Sequence, residues 1–173
     1  MPDPGLGPAD LKPGPDGQLN AADRHWLGQA IGLSRRCLPS ASAYCVGAVL
    51  VGSDGAVLAT GFSRERDPYD HAEEAALALV DPADPRLGPA TMYSSLEPCR
   101  FRASRPVPCA ELIIRAGLRR VVVAWLEPPV LAPGGGAELL RERGVTVLDV
   151  PELAAEARAV NAAVLGGAGR GED

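Results

Sequence analysis

Apolar residues recur at Trp26, Ala30, Leu33 and Cys37, three or four positions apart, and predict a helix that begins at Ala21. Asn20 is suited to cap it and Asp23 falls in its first turn, which makes Cys37 a core position. CVGAVLV (45–51) and AVLATGF (56–62) flank Gly52-Ser53-Asp54-Gly55, the pattern of a hairpin. Both faces of the first segment are apolar, so it belongs in the middle of a sheet. The polar run SRERDPYD (63–70) leads into HAEEAALALV, where Ala72, Ala75, Ala76, Leu79 and Val80 form a helical stripe. DPADPRLGP (81–89) reads as loop, ATMYSSL (90–96) as a short strand and RRVVVAWL (119–126) as a buried one. Between the last two, CAELIIRAG (109–117) has the length and closing glycine of a short helix. Gly134–Gly136 precede another helix, AELLRERG, and VTVLDV (145–150) is a last strand. Pro151 opens a final helix with Leu153, Ala157, Val160 and Val164 on one face. Strand and helix alternate after the hairpin, so the fold class is α/β: a three-layer α/β/α domain around a mixed sheet of about five strands.

Composition adds boundaries. Residues 1–19 hold five prolines and four glycines and are expected to form a disordered leader; residues 20–166 form the domain and 167–173 a flexible tail. No apolar run is long enough for a membrane span, and the first residues lack the basic start and apolar stretch of a secretory signal. The expected setting is cytoplasmic, with four reduced cysteines available for packing, metal or catalysis. A net charge of −5 and a single lysine, Lys12, argue against binding along a nucleic-acid backbone.

Three short pieces carry chemistry: His71-Ala72-Glu73 at a helix start, Pro98-Cys99 just after a strand, and Cys109 at the next helix start. One imidazole and two thiolates make a soft ligand set suited to zinc. Three protein ligands leave the fourth tetrahedral position for water, as catalytic zinc sites require. Such chemistry also needs a carboxylate to move a proton, and Glu73 is the candidate. The positive helix end at Cys109 favours a thiolate there.

H-x-E followed by Pro-Cys and a second cysteine resembles the zinc-dependent cytidine deaminase-like superfamily. Within it, the likeness is to the pyrimidine deaminase domain of riboflavin biosynthesis. It rests on VGAV (46–49), HAE (71–73), SLEPC (95–99), PC (108–109) and CAELIIRAGLRRVVVA (109–124), which leads to the glycines at 134–136. The resemblance implies the cytidine deaminase-like fold, Zn2+ held by His71, Cys99 and Cys109, and Glu73 as proton shuttle. It also implies hydrolytic release of ammonia from an aminopyrimidine, and a homodimer. Two departures bear on substrate: nine residues, RFRASRPVP, separate the cysteines without the expected histidine and glycine, and Ala43 stands near where an asparagine is expected.

Candidate substrate contacts are Arg105 first, then Arg102, Ser95 and Ala43. A loop tethered at both ends to the metal would bring guanidiniums to the pocket rim, where they suit the phosphate of a nucleotide-like, anionic substrate. Glu97 is expected to satisfy backbone groups near the metal turn, Trp125 to pack, and Arg64 and Arg66 to belong to a mixed surface. Three classes of function stay open: a small-molecule deaminase, of the riboflavin type or of cytidine, deoxycytidylate or secondary-metabolism nucleosides; an RNA- or DNA-editing deaminase, disfavoured by the acidic chain and the shortage of lysine; and a non-catalytic zinc-stabilised interaction protein. The last requires a closed site, for which Cys45 is the attractive fourth ligand. No nucleic-acid or membrane partner is expected.

Overall fold

The structure, a computed structural model, describes residues 7–167 of the 173. Helix α1 (Ala21–Ser34) begins at Asn20, whose side chain accepts from the Asp23 N–H at 2.9 Å while Asp23 accepts from the Asn20 N–H at 2.8 Å. This reciprocal cap satisfies two of the orphan donors at the helix start. Strands β1 (Gly47–Val51) and β2 (Val57–Phe62) form the antiparallel hairpin. Helix α2 (Ala72–Leu77) is followed by strand β3 (Thr91–Ser94), helix α3 (Cys109–Arg115) and strand β4 (Arg120–Val123). Helix α4 (Gly136–Glu142), strand β5 (Thr146–Asp149), helix α5 (Ala154–Val160) and helix α6 (Ala162–Gly167) complete the order. The strands lie in the order β2-β1-β3-β4-β5. β1 runs antiparallel to both neighbours, and β3, β4 and β5 are parallel.

The sheet is the middle of three layers, and every residue of β1, β3 and β4 is buried. Two glycines set how close the helices come. A Cβ on Gly47 would meet the Ala30 carbonyl oxygen of α1, and one on Gly61 would meet the Ala72 carbonyl oxygen of α2. One helix therefore packs backbone to backbone on each face of the hairpin, and the α2 contact fixes the height of the helix start that carries His71 and Glu73.

Asp23 does more than face a helix dipole. It is fully buried, takes the Tyr93 hydroxyl at 2.7 Å and pairs with Arg120 at 2.8 and 3.0 Å, joining α1 to β3 and β4. Burial alone would raise its pKa, but Arg120, Tyr93 and the Asn20 N–H outweigh that and lower it.

Two expectations change. Residues 7–19 do not stand off as a loose leader: Pro8–Leu11 form a 3-10 turn, Leu11 packs on the core and its carbonyl accepts the Trp26 indole N–H at 2.8 Å. The partners are Leu11 and Trp26, a pairing that composition does not reveal; residues 1–6, and the tail beyond Gly167, lie outside the described residues. The final helix is not continuous either. Pro151–Leu153 form a 3-10 turn, and the chain breaks at Asn161. The Asn161 side chain accepts from the Cys45 N–H at 2.7 Å and donates to the Cys45 carbonyl at 3.0 Å, stitching this segment to the entry of β1. Among the described residues no helix is long and apolar enough to cross a membrane.

Candidate active site

His71 is the N-cap of α2, with extended backbone geometry, and Glu73 lies two residues into the helix. The different conformations of cap and first turn let both side chains reach one cleft although their spacing places them apart on a regular helix. Cys99 follows β3, and Cys109 is the first residue of α3. These elements bring the His71 Nδ1 to 3.5 Å from each cysteine sulfur, and the three ligating atoms lie within 4.8 Å of one another. Tetrahedral zinc, with Zn–S of about 2.3 Å and Zn–N of about 2.0 Å, spaces sulfur and nitrogen by roughly 3.5 Å, so these donors fit it.

The Cys109 N–H points at the Cys99 sulfur, 3.3 Å away. Cys109 and His71 together outweigh the burial of Cys99 and bring its thiol down to about 4. Cys109, fully buried and hydrogen-bonded to that sulfur, is pushed up instead. The Cys109 N–H at the start of α3 thus favours negative charge on the neighbouring Cys99.

Glu73 is 3% exposed, and its Oε1 accepts the Ser94 hydroxyl at 2.8 Å. Burial raises its pKa, against the pull of His71. Ser94 escapes sequence reasoning, which favours its neighbour Ser95. Ser95 lies just beyond β3, whose last residues alternate in facing: Tyr93 meets Asp23 on the α1 side, and Ser94 meets Glu73 on the α2 side.

A cleft of about 490 Å³ opens onto His71, Glu73 and Cys99. Ala43 lines it. Arg102 lines it too, but its guanidinium is committed to Glu74 at 3.0 Å and to the Tyr69 carbonyl at 2.6 Å. Ser95 is not at the cleft; it is buried, and its hydroxyl accepts the Gly47 N–H at 3.0 Å. Arg105 is not brought to the cleft either. The acidic run before and into α2 captures it, with Asp67 at 3.2 Å, Asp70 at 3.3 Å and Glu74 at 3.3 Å. Cys45 is no fourth ligand. Its sulfur faces that of Cys37, and among the described residues His71, Cys99 and Cys109 are the one metal-competent cluster of histidine, cysteine and acidic groups.

Glu97 has the backbone role expected of it. Its carboxylate accepts the Glu127 and Ala137 N–H groups, each at 2.7 Å, and so clamps the connection from β4 to α4 beside Cys99. Gly136 completes this seam, since a Cβ there would collide with the Pro98 carbonyl. Trp125 packs edge-on against Tyr44 with ring centroids 5.8 Å apart. Tyr44, Phe101 and Glu127 are cleft residues that the sequence did not single out. Glu127 is pushed up to about 7 by burial and by the negative charge of Cys99 and Glu97. Only the position of Glu127 after a buried strand could have flagged it.

Comparison with known proteins bears on this geometry. Residues 20–125 match the model of the cytidine and deoxycytidylate deaminase zinc-binding region. A diaminohydroxyphosphoribosylamino-pyrimidine deaminase of Schizosaccharomyces pombe is 40% identical over 124 residues, which are 70% of this chain and 30% of that protein. The riboflavin biosynthesis protein RibD of Aquifex aeolicus is 42% identical over 116 residues, 67% of this chain and 31% of that one. The chain therefore spans about a third of the length of these relatives. The structure of Acinetobacter baumannii RibD superposes with a TM-score of 0.74 at 32% identity, covering 86% of this chain and 40% of that one. The family match takes in His71, Glu73, Cys99 and Cys109 together with strands β1 to β4. The chain belongs to the family of the cytidine and deoxycytidylate deaminase zinc-binding region.

Proposed function

We propose that this protein is a zinc-dependent hydrolytic deaminase acting on an aminopyrimidine of the riboflavin-pathway type, with His71, Cys99 and Cys109 as metal ligands and Glu73 as the proton-transfer residue. The observation that carries the reading is the three-ligand cluster at the floor of an open cleft with a buried carboxylate beside it. Bound there, zinc supplies Lewis acidity that brings the pKa of a water down to about 7.

Glu73 takes a proton from the attacking water and delivers it to the exocyclic nitrogen. The C–N bond breaks, ammonia leaves, and a carbonyl replaces the amine. Ser94 holds one carboxylate oxygen through its hydroxyl, which leaves the other to work on the proton. Burial raises the proton affinity of Glu73, which favours its holding the proton between the two transfers. Tyr44 and Phe101 offer apolar cleft surface for a flat heterocycle. Ala43 and Arg102 are the retained substrate contacts at the cleft. Arg105 is retained for a substrate phosphate only if the substrate draws it away from Asp67, Asp70 and Glu74.

The relatives named for diaminohydroxyphosphoribosylamino-pyrimidine and riboflavin synthesis support that substrate class over cytidine or deoxycytidylate. A net charge of −5 supports a small-molecule rather than a nucleic-acid partner. Exposed Leu126, Val130 and Leu131 after β4 support a homodimer, which sedimentation checks. Four unbridged cysteines support a reducing, cytoplasmic setting.

The test is ammonia release by the zinc-loaded protein from a diaminopyrimidinone ribotide phosphate. Glu73→Ala is expected to keep its zinc and lose about 10²–10⁴-fold in kcat. A Glu73→Ala protein with wild-type turnover would overturn the assignment.

A further inference from the structure

Cys37 and Cys45 take no part in the metal centre, yet they are not ordinary isolated core cysteines. Cys37 follows α1, Cys45 precedes β1, and the seven residues between them form a closed loop. Both are buried, at 5% and 2% exposure, and their sulfurs lie 2.7 Å apart. A third group binds the neck of the loop. The Arg64 guanidinium donates to the Leu38 carbonyl at 2.7 Å and the Tyr44 carbonyl at 3.2 Å, and its Nη2 lies 2.8 Å from the Cys37 sulfur and 3.4 Å from that of Cys45. Arg64 does this from a backbone φ of +59°, a left-handed conformation that long side chains seldom adopt. Its backbone N–H donates to the Asp70 carbonyl at 2.9 Å while its side chain reaches the loop neck.

The loop matters because of where it lies. Ser40, Ser42, Ala43 and Tyr44 form one wall of the active-site cleft, and Arg64 lines that cleft as well. On the other side, a surface depression of about 310 Å³ between Arg35, Pro39 and Val160 has Cys37 among its lining residues, away from the cleft.

We propose that Cys37 and Cys45 are an oxidative modification site, closing to an intramolecular disulfide when a peroxide supplies the oxidising equivalents. A sulfur of the pair, as thiolate, attacks the O–O bond of hydrogen peroxide. It becomes a sulfenic acid, and the departing hydroxide is protonated to water. The second sulfur attacks the sulfenic sulfur, the S–S bond forms, and the hydroxyl leaves with the second thiol proton as another water. Two thiols and one peroxide give one disulfide and two waters. The bond needs sulfurs near 2.05 Å, which the facing pair reaches without unfolding either flanking element. Closure ties the cleft wall at residues 38–44 covalently at its neck. It also removes the thiol partners of Arg64 and leaves that guanidinium with backbone carbonyls alone. Burial, with Cys45 adding to it, pushes the Cys37 thiol up to about 12, so the response is slow and needs excess peroxide, unlike a dedicated peroxidase.

The test does not depend on the deaminase reading, because its readout is mass. Arg36 and Arg64 flank a single tryptic peptide, 37–64, that contains both cysteines and no other lysine or arginine within it. The zinc-loaded full chain is treated with excess hydrogen peroxide, quenched, alkylated under denaturing conditions and digested without reductant. The expected peptide is two hydrogens lighter, resists alkylation, and regains two alkylation sites after dithiothreitol. A protein isolated with this bond already closed, and opened by dithiothreitol, gives the same answer. In Cys45→Ser the light peptide disappears and a sulfenic acid at Cys37 is trapped by dimedone. Peptide 37–64 recovered doubly alkylated after oxidation of the folded protein overturns the proposal. Disulfides that join two chains, or that involve Cys99 or Cys109 while 37–64 stays reduced, overturn it equally.

Discussion

The molecule holds two pairs of cysteines, and their surroundings send Cys99 of one and Cys37 of the other in opposite directions. At the cleft floor, Cys99 faces donors: the Cys109 N–H at 3.3 Å and the His71 imidazole at 3.5 Å. At the neck of the 38–44 loop, the Cys45 sulfur faces acceptors, the carbonyls of Leu38 at 3.3 Å and Cys37 at 3.6 Å, besides the second sulfur. In the first pair Cys99 comes down to about 4 while Cys109 is pushed up; in the second, burial and then Cys45 push Cys37 up to about 12 despite Arg64. Cysteine content alone does not assign either role. Burial, set against the donors and charges around each sulfur, does.

The largest expected contrast is in metal. Cys99→Ser and Cys109→Ser are each expected to lose more than nine-tenths of the bound zinc, measured as metal per chain by atomic emission. Cys37→Ser and Cys45→Ser are expected to retain about one zinc per chain. Loss of zinc from the second set would break the comparison.

Removing the metal comes next in size. A ligand at a thousandfold above its Kd stabilises the folded state by about 4 kcal/mol. At about 2–4 °C per kcal/mol for a domain of this size, a chelator is expected to lower Tm by roughly 10 °C, followed by calorimetry. Peroxide closure of Cys37–Cys45 in the zinc-loaded protein is expected to leave zinc content untouched. A melting temperature indifferent to chelator would mean that the first pair is held by packing alone.

The two pairs were unequally legible in the sequence. His71, Glu73, Cys99 and Cys109 announce themselves because each stands at the end of an element whose periodicity is plain, and short motifs fix their order. The apolar pattern likewise places β1 at the interior of the sheet, where it pairs with β2 and β3. What stayed hidden depends on partners far along the chain. Arg105 reads as a free cation until Asp67, Asp70 and Glu74 close on it. Asn161 reads as one more helical residue until its amide pairs with the backbone of Cys45, 116 positions away. Leu11 lies in a proline-rich stretch and still finds Trp26. Ser94 ends β3 and reaches Glu73, while Ser95, one residue beyond the strand, takes the Gly47 N–H instead.

A difference in thiol acidity also makes a kinetic prediction. A raised pKa means that thiolate is scarce below it, and alkylation proceeds through the thiolate. In the zinc-loaded protein, the rate of iodoacetamide attack at Cys37 is expected to climb about tenfold per pH unit from neutrality to above pH 10, with no plateau. Mass spectrometry of peptide 37–64 follows it, with fragmentation separating the two sites. A plateau near pH 8 would mean that Arg64 outweighs burial at this pair, and the two environments would then differ in degree only.

The smallest effect expected belongs to the residues that hold the second pair in place. Asn161→Ala removes the acceptor of the Cys45 N–H and the donor to its carbonyl, and leaves both backbone groups buried without these partners. Unsatisfied buried groups of this kind cost about 1–3 kcal/mol, so Tm is expected to fall by several degrees with zinc content unchanged. Asn161→Asp restores the acceptor, and supplies a donor only where its carboxyl is protonated, so it is expected to fall between wild type and alanine at low pH. If both variants melt with the wild-type protein at every pH, the entry of β1 is fixed by the sheet rather than by the C-terminal helices. The facing of Cys37 and Cys45 would then follow from the loop neck and Arg64 alone.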